Sequence, residues 1–339
     1  MRFKRLLYII LSLTILLAAY YFYLVHKKKG KGKEVSAKYE LVSNWPQLSA
    51  GFILGNPTGI GIDTSQNILV FHRAGTEWPL VGSMPETIIS AATILMLDRN
   101  TGKLLNSWGN SLFIMPHGLT VDKYNNVWVT DVGLHQVFKF SHDGKLLMKL
   151  GEASVAGNDS MHFDKPTDVA VADDGSFYVS DGYGNSRIIK FSMSGKYLFE
   201  WGKAGSGERE FDIPHGITLD EKGNVYVADR GNERVQVFDS TGRFLKQWKD
   251  GSFGDMCSVA YDKGSNKFVG VDDVRYLKLM HLGSDVIVFD SVGVVQNRFG
   301  RSGDYNGKKC WYHDVAVDKD GNVYGVDILG NKVQKFRKL

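Results

Sequence analysis

The chain has 339 residues, 43% hydrophobic, 12% aromatic and 23% charged, with 38 Gly and only 7 Pro. That is ample for a large core, and the many turn, aromatic and β-branched residues point to an all-β protein. The formal net charge of +4 belongs to the N-terminus: residues 1–38 hold nine Lys/Arg and one Glu, the rest 32 basic and 36 acidic residues, which excludes an electrostatic footprint for nucleic acid.

Leu6 to Val25 is a run of 20 residues without a charge. At about 1.5 Å per residue a helix of that length spans a hydrocarbon core of about 30 Å. Tyr20, Tyr21 and Tyr23 cluster at one end, as interfacial aromatics do. Residues 1–25 are therefore expected to be a transmembrane anchor, or a signal that is cleaved to release a secreted protein. Residues 26–38 read as a basic tether. Lysines on both sides leave the orientation open under the positive-inside rule.

From residue 39 the chain repeats. Tyr39–Trp45 (YELVSNW) reads as a lone strand. A weak copy starts at Pro57 (PTGIGIDTSQNILVFHRAG) and resumes, after an insertion, at TILMLDRNTGKLLNSWG. Three strong copies begin at Pro116, Pro166 and Pro214, each with four alternating apolar runs separated by Asn/Asp/Gly turns. Two weaker copies begin at Cys257 and Tyr312. Six copies of roughly 43–59 residues, four strands each, predict a six-bladed β-propeller over 39–339. The last copy stops after three strands, and a ring must close to remove its edge. The strand at Tyr39–Trp45 is the spare piece that would close it. An open sandwich offers no reason for that match. The turns DRGNERV (229–235) and DGYGNSRI (181–188) make the blades resemble NHL repeats.

The second residue of each copy starts the innermost strand, so six positions ring one mouth of the channel: Thr58, His117, Thr167, His215, Cys257 and His313. Histidine falls in alternate blades at spacings of 98 and 98 residues, in a chain with nine in all. Alternate blades of a six-fold ring lie about 120° apart, so three imidazoles converge on the axis. Three neutral imidazoles suit Zn²⁺ and leave a coordination position open, the pattern of catalytic rather than structural sites. Arg73, Tyr183 and Arg230 occupy near-equivalent turns on the same face. Two guanidiniums beside a dication would hold a carboxylate, and a phenol there suits a general base. Cys257 and Cys310 are too few for a disulfide framework; one bridge or two ordinary thiols both fit.

The stretches FHR (71–73), MPHGLTVD (115–122), VWVTDVGLHQVFKF (127–140), KPTDVAVADDGSFYVSDGYGNSRI (165–188), IPHGITL (213–219), VADR (227–230) and YHDVAV (312–317) resemble peptidylglycine α-amidating lyase. That family cleaves peptidyl-α-hydroxyglycine to a peptide amide and glyoxylate. The resemblance implies zinc on His117, His215 and His313, catalytic roles for Tyr183, Arg73 and Arg230, and a structural calcium bound by the carbonyls of Ile60 and Leu119 and the carboxylate of Asp314. It implies a peptide or small amidoglycolate substrate, a monomer, and an extracytoplasmic propeller. The sequence departs from the family at Trp311-Tyr312, where Met-Pro is usual. It also has Asp164 and Gly184 in place of a disulfide, and no monooxygenase part, so a free-standing lyase is expected. Two other readings are a different metallo-hydrolase such as a lactonase, and a non-catalytic NHL-repeat binding or sensor protein.

Overall fold

A computed structural model describes residues 11–20, 23, 39–49, 51–52, 54–79, 83–276, 280–300 and 310–339. Six sheets hold four strands each along their main path, and blade five carries one strand more. The first strands of the blades are Pro57–Ile62, Pro116–Val121, Pro166–Val171, Pro214–Leu219, Asp255–Asp262 and Tyr312–Val317. Each packs against the first strand of the next blade and the last against the first, so they form a closed inner ring. The fold is the expected six-bladed β-propeller.

Closure follows the expected route. Tyr39–Leu41 pairs antiparallel with Lys332–Lys338, setting Tyr39 opposite Lys338 and Leu41 opposite Phe336. Segments from near residue 39 and near residue 338 thus share blade six, which gives that blade its fourth strand and closes the ring. The core lies between blades. Second and third strands bury nearly every side chain, whereas the outer strand Leu146–Leu150 buries none fully and half-buries only Met148 and Leu150, on alternate positions. At the rim, Trp201 ends the outer strand of blade three and lies over the turn of blade four. There Gly242 has φ +77°, and a Cβ would come within 2.8 Å of the indole, so glycine is required both for the turn and for the approach.

Blades three and four show what the repeat motif is for. Asp181 and Asp229 end second strands, are fully buried, and accept main-chain N–H groups of Asp164 and Asp212. Arg187 and Arg234, in the third strands, neutralise them at 3.0 and 2.7 Å. Arg234 also donates to the carbonyls of Ser206, Gly207 and Glu210, tying the loop before the blade to the sheet. Arg234→Met would leave Asp229 buried without its cation. A loss of about 3–5 kcal/mol in unfolding free energy is expected, read by denaturant titration; a loss under about 1 kcal/mol would contradict this account.

The N-terminal expectation is corrected. Of the expected anchor, residues 11–20 and 23 are described, and they are helical; the rest of 1–25 lies outside the described residues. No helix among the described residues is long and apolar enough to cross a membrane. A transmembrane helix, and with it a membrane-anchored location, is therefore not supported. The tether at 26–38 lies outside the described residues.

Candidate metal centre

Every inner strand is bulged where its ring residue sits. The register with the second strand shifts between Pro57 and Gly59, Pro116 and Leu119, Pro166 and Asp168, Pro214 and Ile217, Met256 and Ser258, and Tyr312 and Asp314. A bulge re-aims a side chain that the pleat would otherwise direct along the ladder. In blade two the amide freed by the bulge, Gly118 N–H, donates to Thr130 Oγ1 at 2.8 Å. Crowding explains the residue after the histidine: a Cβ on Gly118 would lie 2.4 Å from the Thr167 carbonyl, and one on Gly216 would lie 2.7 Å from Ser258 Cα.

The three bulges bring His117, His215 and His313 together on the axis. Ring centroids are 4.5–4.7 Å apart, and the ligand atoms lie within 4.8 Å of one another. All three are buried. Each Nδ1–H donates to the carbonyl of the neighbouring ring position: His117 to Thr167 at 2.7 Å, His215 to Cys257 at 2.6 Å, His313 to Thr58 at 2.6 Å. A carbonyl can only accept, so these bonds set the tautomer and leave each Nε2 a free lone pair. The six-position ring is thus a working unit in which histidines alternate with the carbonyls that orient them. Burial, with repulsion from neighbouring imidazoles and from Arg73 and Arg230, holds His117 and His215 well below the usual range; burial and Arg73 bring His313 to about 3. Three neutral, convergent, pre-oriented imidazoles fit a metal ion.

Tyr183 lies over this triad. Its hydroxyl is 3.2 Å from His117 Nε2 and 3.0 Å from His215 Nε2, and accepts from Arg230 Nη1 at 3.1 Å. Burial raises the phenol, against the opposite pull of Arg230 and Arg73. Arg73 is buried, its Nε donating to the Pro116 carbonyl at 3.1 Å. Both guanidiniums line one pocket of about 540 Å³ together with Tyr183 and His313.

Below the triad, Asp314 takes N–H bonds from Ile60 (2.9 Å) and Val315 (2.8 Å) and a hydroxyl from Ser258 (2.6 Å). Leu119 enters from blade two, packed so closely that a Cβ on Gly59 would meet its nitrogen at 2.5 Å. Burial lifts Asp314 to about 6. Burial and the Asp314 charge lift Asp168, across the channel, well above the carboxylate range. Two buried carboxylates without a neighbouring cation are what an oxygen-seeking ion would relieve.

Cys257 contributes its carbonyl, not its thiol, to the ring. Burial pushes that thiol up to about 12; Cys257 and Cys310 are both buried and no disulfide joins them. Sequence reasoning missed Trp78, whose ring packs on Tyr183 at 4.9 Å, and Arg275 and Asp255 on the pocket wall. A usable signal existed for the first two: the insertion after the second strand of blade one and the long hairpin of blade five, Lys267–Tyr276 with Met280–Gly283, both follow second strands and so emerge at the same mouth.

Similarity to known proteins agrees with this geometry. The NHL repeat model matches residues 113–140, 163–191 and 211–238. Human NHL repeat-containing protein 3 is 31% identical, covering 89% of this chain and 84% of its own. Peptidyl-alpha-hydroxyglycine alpha-amidating lyase 1 of Drosophila melanogaster is 36% identical, covering 88% and 59%. The chain belongs to the NHL-repeat family that includes the peptidyl-α-hydroxyglycine α-amidating lyases. Within that family, peptidyl-glycine alpha-amidating monooxygenase B of Xenopus laevis is 35% identical, covering 87% of this chain but 35% of its own. The chain thus spans about a third of the length of relatives named as monooxygenases and about half to three fifths of those named as lyases.

Proposed function

We propose that this chain is a metal-dependent carbon–nitrogen lyase that cleaves peptidyl-α-hydroxyglycine to a peptide amide and glyoxylate. The observation that carries the reading is the placement of one phenol between two imidazole Nε2 atoms and a guanidinium, at 3.0–3.2 Å from each, above three neutral histidines. His117, His215 and His313 would hold the ion, with Zn²⁺ the best match to three nitrogen donors; when bound it would acidify a substrate hydroxyl. Asp314, with the main-chain carbonyls of Ile60 and Leu119, would hold a structural Ca²⁺.

The chain's own groups account for the rest. Arg73 and Arg230 bind the substrate carboxylate and orient the carbon that bears the hydroxyl. Tyr183, as the phenolate that Arg230, Arg73 and a bound dication would favour, takes the hydroxyl proton. As the C–O bond becomes a carbonyl the C–N bond breaks, and the electron pair stays on nitrogen. Tyr183 then returns the proton to that nitrogen, so the products are glyoxylate and a neutral peptide amide. Buried walls keep bulk water from competing for the proton.

The test is glyoxylate release from a peptide ending in α-hydroxyglycine by the purified chain, with and without a chelator. Release that stops on chelation and returns with metal is expected. A folded, metal-loaded protein that releases none would refute the proposal. Arg73→Met is expected to raise KM by about 10–100-fold, the worth of one charge-assisted hydrogen bond to a carboxylate, with a smaller effect on kcat. Steady-state kinetics would show this, and an unchanged KM would remove Arg73 from carboxylate binding.

A further inference from the structure

The pocket above the triad has a wall that the reaction does not use. Tyr183, Arg73 and Arg230 occupy its floor, while Trp311, Ile213, Ile328 and Leu329 bound its upper part. Trp311 is held in place from several sides. Its main-chain N–H donates to Asp327 Oδ1 at 2.9 Å, and its carbonyl accepts from Ile328 N–H at 3.0 Å. The indole stacks on His281 at 5.4 Å, with ring planes 28° apart. The guanidinium of Arg275 lies 5.4 Å from its centroid, and that of Arg230 5.7 Å.

A polar network flanks the indole. His281 Nε2–H donates to the Cys310 carbonyl at 2.7 Å, and its Nδ1 faces the Asp273 carboxylate. Asp273 also takes Arg275 Nε at 2.6 Å, and Arg275 Nη2 reaches Asp255 at 3.2 Å. The network holds the indole in place, so the wall presents to the pocket a rigid aromatic plane beside the paired Arg275 and Asp255. An aromatic plane held by packing loses little entropy on contact and rewards an apolar partner.

Given the lyase reading, on which this inference rests, the substrate's position follows. The carboxylate sits at Arg73 and Arg230, and the scissile nitrogen points away from it. The Cα of the preceding residue is about 3.8 Å from that of the hydroxyglycine. Its side chain then falls within reach of Trp311, whose ring is 5.7 Å from Arg230. We propose that Trp311 is a specificity-determining residue: its indole takes the side chain that precedes α-hydroxyglycine and selects aromatic and large apolar residues over small or acidic ones.

The experiment compares acylated Phe-, Leu-, Ala- and Asp-α-hydroxyglycine as substrates of the full chain and of its Trp311→Ala and Trp311→Met variants. The wild-type kcat/KM ratio of Phe to Ala is expected to be about tenfold, in keeping with one aromatic contact plus its apolar burial. It should fall to about twofold or less in Trp311→Ala and lie between in Trp311→Met, which keeps apolar bulk should the smaller residue disturb the fold. In parallel, calorimetry measures binding of the matching peptide amides, where the same ratios are expected without turnover. If no substrate yields glyoxylate, the lyase reading falls while the amide ratios still decide the pocket. A Phe-to-Ala ratio near one in the wild type, or one unchanged by Trp311→Ala in the amide assay, would overturn the assignment.

Discussion

Replacing His215 with alanine is expected to abolish axial metal binding and glyoxylate release together. The three imidazoles are the donor set, and their Nε2 atoms gather within a few ångströms only because each Nδ1–H is tied to a carbonyl of the next blade. Loss of an outer partner to a metal-binding histidine commonly costs 10–100-fold in affinity; loss of the ligand itself should cost more than about a hundredfold. The variant also strands the Cys257 carbonyl and removes one partner of Tyr183. A buried unsatisfied carbonyl costs about 1–3 kcal/mol, so thermal unfolding must be followed to separate lost folding from lost metal. His117→Ala should cost about as much, because the ligands act as a unit and their effects do not add. Elemental analysis coupled to the glyoxylate assay gives the answer. A His215→Ala protein with undiminished metal would show that the triad is not the donor set, and a folded, metal-loaded wild type without turnover would leave the non-catalytic NHL-repeat reading standing.

Tyr183→Phe should have the second largest effect, and it separates chemistry from metal binding. Phenylalanine keeps the ring that packs on Trp78 at 4.9 Å and removes only the hydroxyl between His117, His215 and Arg230. If that oxygen carries the proton, kcat should fall by about 10²–10⁴. KM should change little, because Arg73 and Arg230 hold the carboxylate, and metal content should stay at the wild-type value. A fall in kcat of less than about tenfold would assign the proton to another group. A fall in metal content would mean that the phenol serves the ion rather than the substrate.

Much of the site was readable before any coordinates, because a propeller converts position within a repeat into position in space. Aligning MPHG, KPTD and IPHG sets His117, Thr167 and His215 on one ring, and the same register puts Tyr183 and Arg230 on one mouth. The spare strand at Tyr39 paired with Lys332–Lys338 as the truncated last repeat required. The N-terminus misled for the opposite reason. Hydropathy there is a property of a single stretch with no repeat to check it, and no helix among the described residues is long and apolar enough to cross a membrane.

The sequence by itself determined the number of blades, the order of their strands and which residue types occupy the ring, since each of these is a matter of spacing along the chain. Only the tertiary structure decided how the ring works. The bulge that turns each histidine inward, the carbonyl that sets its tautomer, and the burial that keeps it neutral all come from neighbouring blades, 42 to 255 residues away in the chain. The same holds for the wall of the pocket, where Trp311 meets His281 and Arg275 from the hairpin of blade five. That hairpin departs from the repeat, and where the period lapses, distance along the chain carries no information about distance in space.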